Sequence, residues 1–227
     1  MDRSFSQLLV AEQKAIASRG LKYMIAFLLL WAGPYIYVDI QMPDSNGAYF
    51  LLSFVGIGLT FFLLYSLLRS SSAHDEATKT GIAGFFGLSL LHSIAVFAGL
   101  LLFVIPGLYL AMRWLPAFAR LLKSDEGIIE ALRWSWERTG GYQSALAVPF
   151  MWVMSLYLLG MGPILGWELL YQFTDYVSYE TLDSLYEPSV VLSNIALAVG
   201  AAWYTTLGVA SYVCLRGEAR LEAETFE

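Results

Sequence analysis

Along this chain, long runs of apolar residues alternate with short polar stretches, and the runs are too long for the helices of a soluble domain. A segment crossing a bilayer satisfies its backbone internally and needs about 20 mostly apolar residues. Such runs cover approximately 23–40, 48–68, 82–103, 142–165 and 190–215. A further apolar stretch continues from residue 103 to Leu122. At ~1.5 Å per residue, 82–122 is too long for one crossing, and Pro106-Gly107 interrupts it. We expect a hairpin there, turning at Val104–Gly107 and returning as a short helix over 106–122. The pattern predicts an all-α membrane bundle of six transmembrane helices spanning 23–216, with a lead-in at 1–22 and a tail at 217–227.

The charges give these crossings a direction. Twelve of the 13 basic residues fall in the segments 1–22, 69–80, 120–140 and the tail, whereas 39–48, 104–107 and 166–189 carry none. Those three base-free segments hold Asp39, Asp44, Glu168, Asp175, Glu180, Asp183 and Glu187. Basic residues of short loops stay on the cytoplasmic side, so six crossings with both termini cytoplasmic satisfy the whole pattern. Five would break it after the third. The 22 mostly polar residues before the first run do not resemble a cleavable signal peptide, and the first helix is expected to remain as an anchor.

Three pieces lie outside the runs. Residues 1–22 are expected as an amphipathic cytoplasmic helix with Phe5, Leu8, Leu9 and Ile16 toward the membrane, and with capping-box spacing at Ser4 and Gln7. Segment 124–139 is expected as an interfacial helix. Ser124 suits its N-cap, and Gly140-Gly141 its end. Ile128, Ile129, Leu132 and Trp136 share one third of its circumference, which makes Ile128, Leu132 and Trp136 the candidate docking face for lipid or a protein partner. Segment 166–189, with four tyrosines, is expected as two short amphipathic turns forming a lid.

Composition strengthens the membrane reading. Hydrophobic residues make up 58% and charged residues 14%, against roughly 45–50% and about 25% in soluble domains. A net charge of −6 argues against nucleic acid. Cys214 is the single cysteine, so there is no disulfide framework, and no metal or other cofactor is implied. Nucleotide-binding, nucleophile-elbow and zinc-protease motifs are missing. His74-Asp75-Glu76 are adjacent residues that point in different directions. No catalytic residue is therefore assigned.

Ionisable groups within apolar runs are costly, and they mark candidate sites. Two stand out: His92 in the third run and Arg113 in the return segment. The expectation is a shared polar level, with Arg113 seeking backbone carbonyls, Tyr109, a lipid phosphate, Asp39 or Glu168. Asn194, Thr205, Thr206, Ser211, Ser53 and Thr60 are expected to bond between helices. The small pairs Ala95/Gly99, Ala196/Gly200 and Gly162/Gly166 are expected where helices approach closely.

The stretch VIPGLYLAMRWLPAFARLLKSDEGIIEALRWSWERTGGY, Val104–Tyr142, resembles a known motif. Its Pro106, Gly107, Tyr109, Arg113 and Trp114, followed by Gly127, Ala131, Leu132, Ser135, Trp136, Thr139 and Gly140, are similar to the membrane domain of some bacterial glycerophosphoryl diester phosphodiesterases and of YciC-type inner-membrane proteins. An acid is common in that family where Ser124 stands. The resemblance implies a multi-pass protein of the bacterial inner membrane without phosphodiesterase chemistry, which in those enzymes belongs to a separate soluble barrel. The leading expectation is a non-catalytic envelope protein that binds membrane lipids or a protein partner, with Arg113, Tyr109, His92 and Trp114 as ligand contacts and Pro106 and Gly107 as the structural turn. The alternative is a transporter or channel for a small anion or amphiphile at the His92/Arg113 level.

Overall fold

The computed structural model describes residues 3–71, 81–172 and 178–226, the side chains of 3, 4 and 218–226 excepted. The His74–Glu76 run, Lys79, Asp175 and Tyr176 lie outside the described residues, as do the side chains of Ser4 and Arg220. All regular structure among the described residues is helical: α1 (Arg3–Arg19), α2 (Leu21–Gln41), α3 (Asn46–Ser70), α4 (Ile82–Leu102), α5 (Val104–Arg113), α6 (Ala117–Lys123), α7 (Ile128–Thr139), α8 (Gln143–Gln172) and α9 (Tyr179–Phe226). The chain is thus an all-α bundle. Five of these helices, α2, α3, α4, α8 and α9 up to Gly217, are long and apolar enough to cross a membrane.

Helix α9 is the axis of the bundle and touches α1, α2, α3, α6 and α8. Small residues make this possible: Ala198, Ala202 and Ala210 are fully buried, and Gly200 and Gly208 lie against the Tyr157 ring and the Leu115 carbonyl. Prolines 34, 149 and 163 sit inside α2 and α8 without ending them. In hydrocarbon a broken helix strands backbone groups that water cannot satisfy, so continuity wins over the local preference of proline.

The lead-in is part of the core. Phe5, Leu9 and Ile16 of α1 are fully buried while Leu8 is exposed, and Phe5 stacks on Tyr142 with ring centroids 4.1 Å apart. Gln13 donates from Nε2 to Thr206 Oγ1 (3.3 Å) and to the Trp203 carbonyl (3.4 Å) on α9. Gly20 joins α1 to α2 where a Cβ would sit 2.3 Å from Leu67 Cδ2, so the joint is pressed against α3.

The hairpin forms, with a different turn from the one expected. The reversal is Phe103 alone, in extended conformation between α4 and α5. Pro106 and Gly107 lie within the first turn of α5, where an absent N–H costs nothing because no intrahelical acceptor faces it. Gly107 serves packing instead. A Cβ there would meet the Leu100 backbone N at 2.7 Å, and one on Gly99 would meet the Gly107 Cα at 2.9 Å.

The return leg is split. Pro116 cannot donate, α5 ends at Arg113, and α6 restarts at Ala117. Neither piece alone has the length of a crossing. Together they retrace α4, for His92 meets Trp114 and Phe118, and Phe85 meets Phe118.

At the end of the bundle rich in acids, α8 and α9 extend as helix where short lid turns were expected. Trp167 Nε1 donates to the Leu182 carbonyl at 2.9 Å and its ring packs on Tyr186. Asp39 gathers three elements there. Its carboxylate accepts from Tyr49 Oη (2.7 Å) and Asn194 Nδ2 (2.6 Å), and its carbonyl accepts from Tyr186 Oη (3.0 Å).

Candidate functional site

Arg113 and His92 do not form one polar level. Consecutive helical residues point about 100° apart, and Trp114 takes the side of the hairpin that faces α4. Arg113 is consequently turned toward α7. The residue is 3% exposed. Nη1 donates to Tyr109 Oη at 3.2 Å, Nη2 donates to the Trp136 carbonyl, and the group lies over the Trp136 ring at 4.2 Å. Asp39 and Glu168 are at the acidic end, away from it. Of the partners expected for Arg113, a backbone carbonyl and Tyr109 are the two found.

The break at Pro116 explains why α7 docks here. Ala117 N, which would bond the Arg113 carbonyl in a continuous helix, bonds Trp114 O instead. The stranded Arg113 carbonyl accepts from Ser135 Oγ at 2.6 Å, with Thr139 Oγ1 at 3.4 Å, and the Ala111 carbonyl accepts from Tyr204 Oη on α9 at 3.3 Å. The buried face of α7 is therefore Ala131, Leu132, Ser135 and Thr139. Of the expected docking face, Leu132 is buried in the bundle and Ile128 half-buried, while Trp136 and the neighbouring Ile129 stay exposed at 40% and 58%. Ser135 and Thr139 on the buried face carry the hydroxyls that reach the orphaned Arg113 carbonyl. The N-terminus also shifts. Ser124 closes α6 through its bond to the Arg120 carbonyl, and Gly127 precedes α7.

Arg120 braces this joint through a two-pronged pair with Glu126, Nε to Oε2 at 2.9 Å and Nη2 to Oε1. Its hydrogen bond holds the Glu126 carboxyl below the usual carboxylate range, against some desolvation.

His92 faces the opposite way, into a cavity of about 390 Å³ enclosed by α2, α3, α4, the α5–α6 break and α9. That size lies within the range of small-molecule sites. Trp31 and Tyr35, stacked at 4.5 Å, form one wall. Gly56 lets them close on α3, since a Cβ there would stand 3.3 Å from Trp31 Nε1. Phe85, Phe118 and Tyr204 form others.

Polar groups are scattered among the rings: Ser53 and Thr60 on α3, Ser89, His92 and Ser93 on α4, and Thr205 on α9. No charged side chain lines the cavity. Ser53 and Ser93 are exposed, which puts a mouth between α3 and α4. His92 Nε2 is buried and has no hydrogen-bond partner.

Of the hydroxyls expected to join helices, those of Ser53, Thr60, Thr205 and Ser211 bond carbonyls of their own helices. Asn194 and Thr206 do bridge helices. Among the small pairs, Gly99 and Gly200 make close contacts, whereas Gly162 and Gly166 have nothing within 4 Å. Gly160, which stood out in no pattern, meets Leu197 N at 3.0 Å. The cavity itself was missed except for His92. The i, i+3, i+4 spacing of Ser89, His92 and Ser93 was the available signal for it.

No protein-family model, curated protein or solved structure matches this chain.

Proposed function

We propose that this chain is a non-catalytic multi-pass membrane protein that binds a lipid-like molecule in the cavity beside His92. One observation carries the reading: about 390 Å³ of space, walled by aromatic rings, with the exposed Ser53 and Ser93 and the half-buried His92 in its lining. A molecule already dissolved in the bilayer would reach this space without crossing water. The transport alternative gains less support, because the cleft at the acidic end, lined by Asp39, Glu168, Asp183 and Glu187, shares no residue with this cavity.

In this reading the protein lies in a bacterial inner membrane, six times crossed when α5 and α6 are counted as one broken leg. The base-rich end, with Lys22, Arg69 and Arg138, faces the cytoplasm. The resemblance of Val104–Tyr142 to the phosphodiesterase-associated and YciC-type membrane domains agrees with it. Reporter fusions or cysteine labelling at positions 45 and 130 should report opposite compartments; a shared compartment overturns the orientation.

The binding reading is tested by native mass spectrometry of protein extracted in mild detergent. Wild type should retain a lipid-like molecule, and Ser89→Phe, which fills the cavity from α4, should lose it. Equal retention by both overturns the reading.

A further inference from the structure

We infer that the groove between α1 and α8 binds an anionic phospholipid, with the phosphate at Lys14 and an acyl chain laid along α8. The groove offers about 730 Å³ and shares no residue with the cavity beside His92. The inference therefore stands apart from the reading above.

The shape of the groove follows from how α1 is held. Phe5 stacks on Tyr142 at the start of α8, and further along Gln13 bonds the Trp203 carbonyl and Thr206 Oγ1 on α9. These two ties commit one side of α1 to the bundle. Gln7, Val10 and Lys14, spaced i, i+3 and i+7, form a second stripe that lines the groove. Facing it on α8, Ser144, Val148 and Trp152 recur every fourth residue and are all exposed. Between the stripes lie the buried Pro149 and the half-buried Trp203. The α8 side is thus an apolar track with a polar residue at its start, open to the surroundings along its length. Because α1 passes directly into α2, a helix long and apolar enough to cross a membrane, the groove opens where headgroups meet hydrocarbon. Tryptophan and lysine side chains suit that boundary.

Hydrogen bonding does not choose the ligand. The Gln7 and Gln13 amide oxygens are acceptors, whereas the Gln7 amide, the Ser144 hydroxyl and the two indoles carry donors. Charge chooses it. Lys14 is the one charged side chain in the lining, it is exposed, and among the described residues no carboxylate pairs with it. Glu12, the only acid of α1, is taken up by Arg19 at 3.4 Å. Helix α8 has no acid before Glu168, and α9 has none from 189 to 215. A zwitterionic lipid would bring an ammonium group for which this lining has no carboxylate. An anionic phospholipid brings the fixed negative charge and the hydrocarbon chain together.

The test is a lipid titration of the full chain in neutral detergent, read by native mass spectrometry. The probes are dioleoylphosphatidylglycerol, dioleoylphosphatidylcholine with the same tails, and glycerol phosphate with none. Wild type should bind the phosphatidylglycerol about fivefold more tightly than the phosphatidylcholine, the effect of one cation at a membrane surface, and should not retain glycerol phosphate. Lys14→Gln should remove the difference, and Lys14→Arg should keep it. Val148→Trp, which fills the groove with Lys14 intact, should remove it too. Lys22→Gln deletes an exposed cation outside the groove and should leave the difference in place. All three positions are exposed, thermal unfolding confirms that each variant is folded, and Lys14→Gln carries the test if Val148→Trp is not. Equal binding of the two lipids by wild type, or a difference that survives Lys14→Gln, overturns the inference. An equal loss in Lys22→Gln also overturns it, by assigning the preference to the basic surface as a whole. Retention of glycerol phosphate as tightly as the lipid would make this a site for soluble phosphate and overturns it as well. Ser89→Phe should leave the preference unchanged, so failure of the cavity reading and failure of this one are separately visible.

Discussion

Arg113 and His92 pose the same physical problem on neighbouring helices and receive different solutions, although each keeps one buried nitrogen without a hydrogen-bond partner. Both are polar groups set in apolar runs, and Trp114, next to Arg113 in the chain, touches the His92 ring. Around Arg113 the fold supplies partners for both terminal nitrogens, while the buried Nε has none. Tyr109, the Trp136 carbonyl and two aromatic faces surround the guanidinium, and the hydroxyls of α7 take up its backbone carbonyl. Around His92 it supplies a cavity and leaves Nε2 unmet. The difference separates a residue whose guanidinium ties α5 to α7 from one whose ring lines a cavity. Cost alone did not distinguish them, because an ionisable residue at membrane depth is costly in either role.

That comparison can be broken by experiment, most forcefully at the arginine. Arg113→Ala removes the clamp between α5 and α7 and should destabilise the protein by about 3 kcal/mol, in the range for disrupting a buried polar network. Unfolding in detergent measures it. Arg113→Lys should recover little, because an ammonium lacks the planar fork and the stacking surface. A wild-type melting curve for either variant would mean that Arg113 is no clamp.

Ser135→Ala should cost ~1–2 kcal/mol by orphaning the Arg113 carbonyl, the lower end applying if Thr139 closes in from 3.4 Å. A loss equal to that of Arg113→Ala would shift the weight of the joint from the side chain to the broken backbone.

A smaller effect is expected from Glu126, which is partly exposed. Its carboxyl is held below the ordinary range by Arg120. The stability it contributes is present above its unfolded pKa and is lost as pH falls through the lowered folded value. Glu126→Gln should flatten the acid side of the melting temperature against pH and leave the neutral-to-basic side parallel to wild type.

The smallest effect belongs to His92→Leu. Replacing an unpartnered polar group with an apolar one in hydrocarbon surroundings should leave stability within about 1 kcal/mol of wild type, or raise it. A loss as large as that of Arg113→Ala would show that His92 is structural after all and would erase the contrast.

The apolar runs were legible from the sequence because hydrocarbon tolerates only closed helices, and run length therefore translates directly into structure. The same logic predicted that the apolar chain from 82 to 122 must fold back, and Gly99 against Gly107 shows how closely it does. The turn was misplaced because Pro106-Gly107 reads locally as punctuation. In the fold that proline occupies a helix start, and the glycine serves the contact with Leu100. For α7 the hydrophobic wheel marked Ile128, Leu132 and Trp136 as a docking face, and of these only Leu132 is buried in the bundle. It could not register that the Arg113 carbonyl, 22 residues earlier and stranded by Pro116, would draw Ser135 inward.

His92 was identifiable as an anomaly in its run, and Arg113 likewise, but their division of labour was not. By itself the sequence determined that this is a helical membrane bundle and which ionisable residues demand explanation, since burial in lipid follows from composition over some twenty residues. Which groups meet one another, and where space is left between α3 and α4, depends on the rotation of each helix about its axis. Only packing among helices distant in the chain sets that rotation, so the tertiary structure alone gave Arg113 its partners and His92 its cavity.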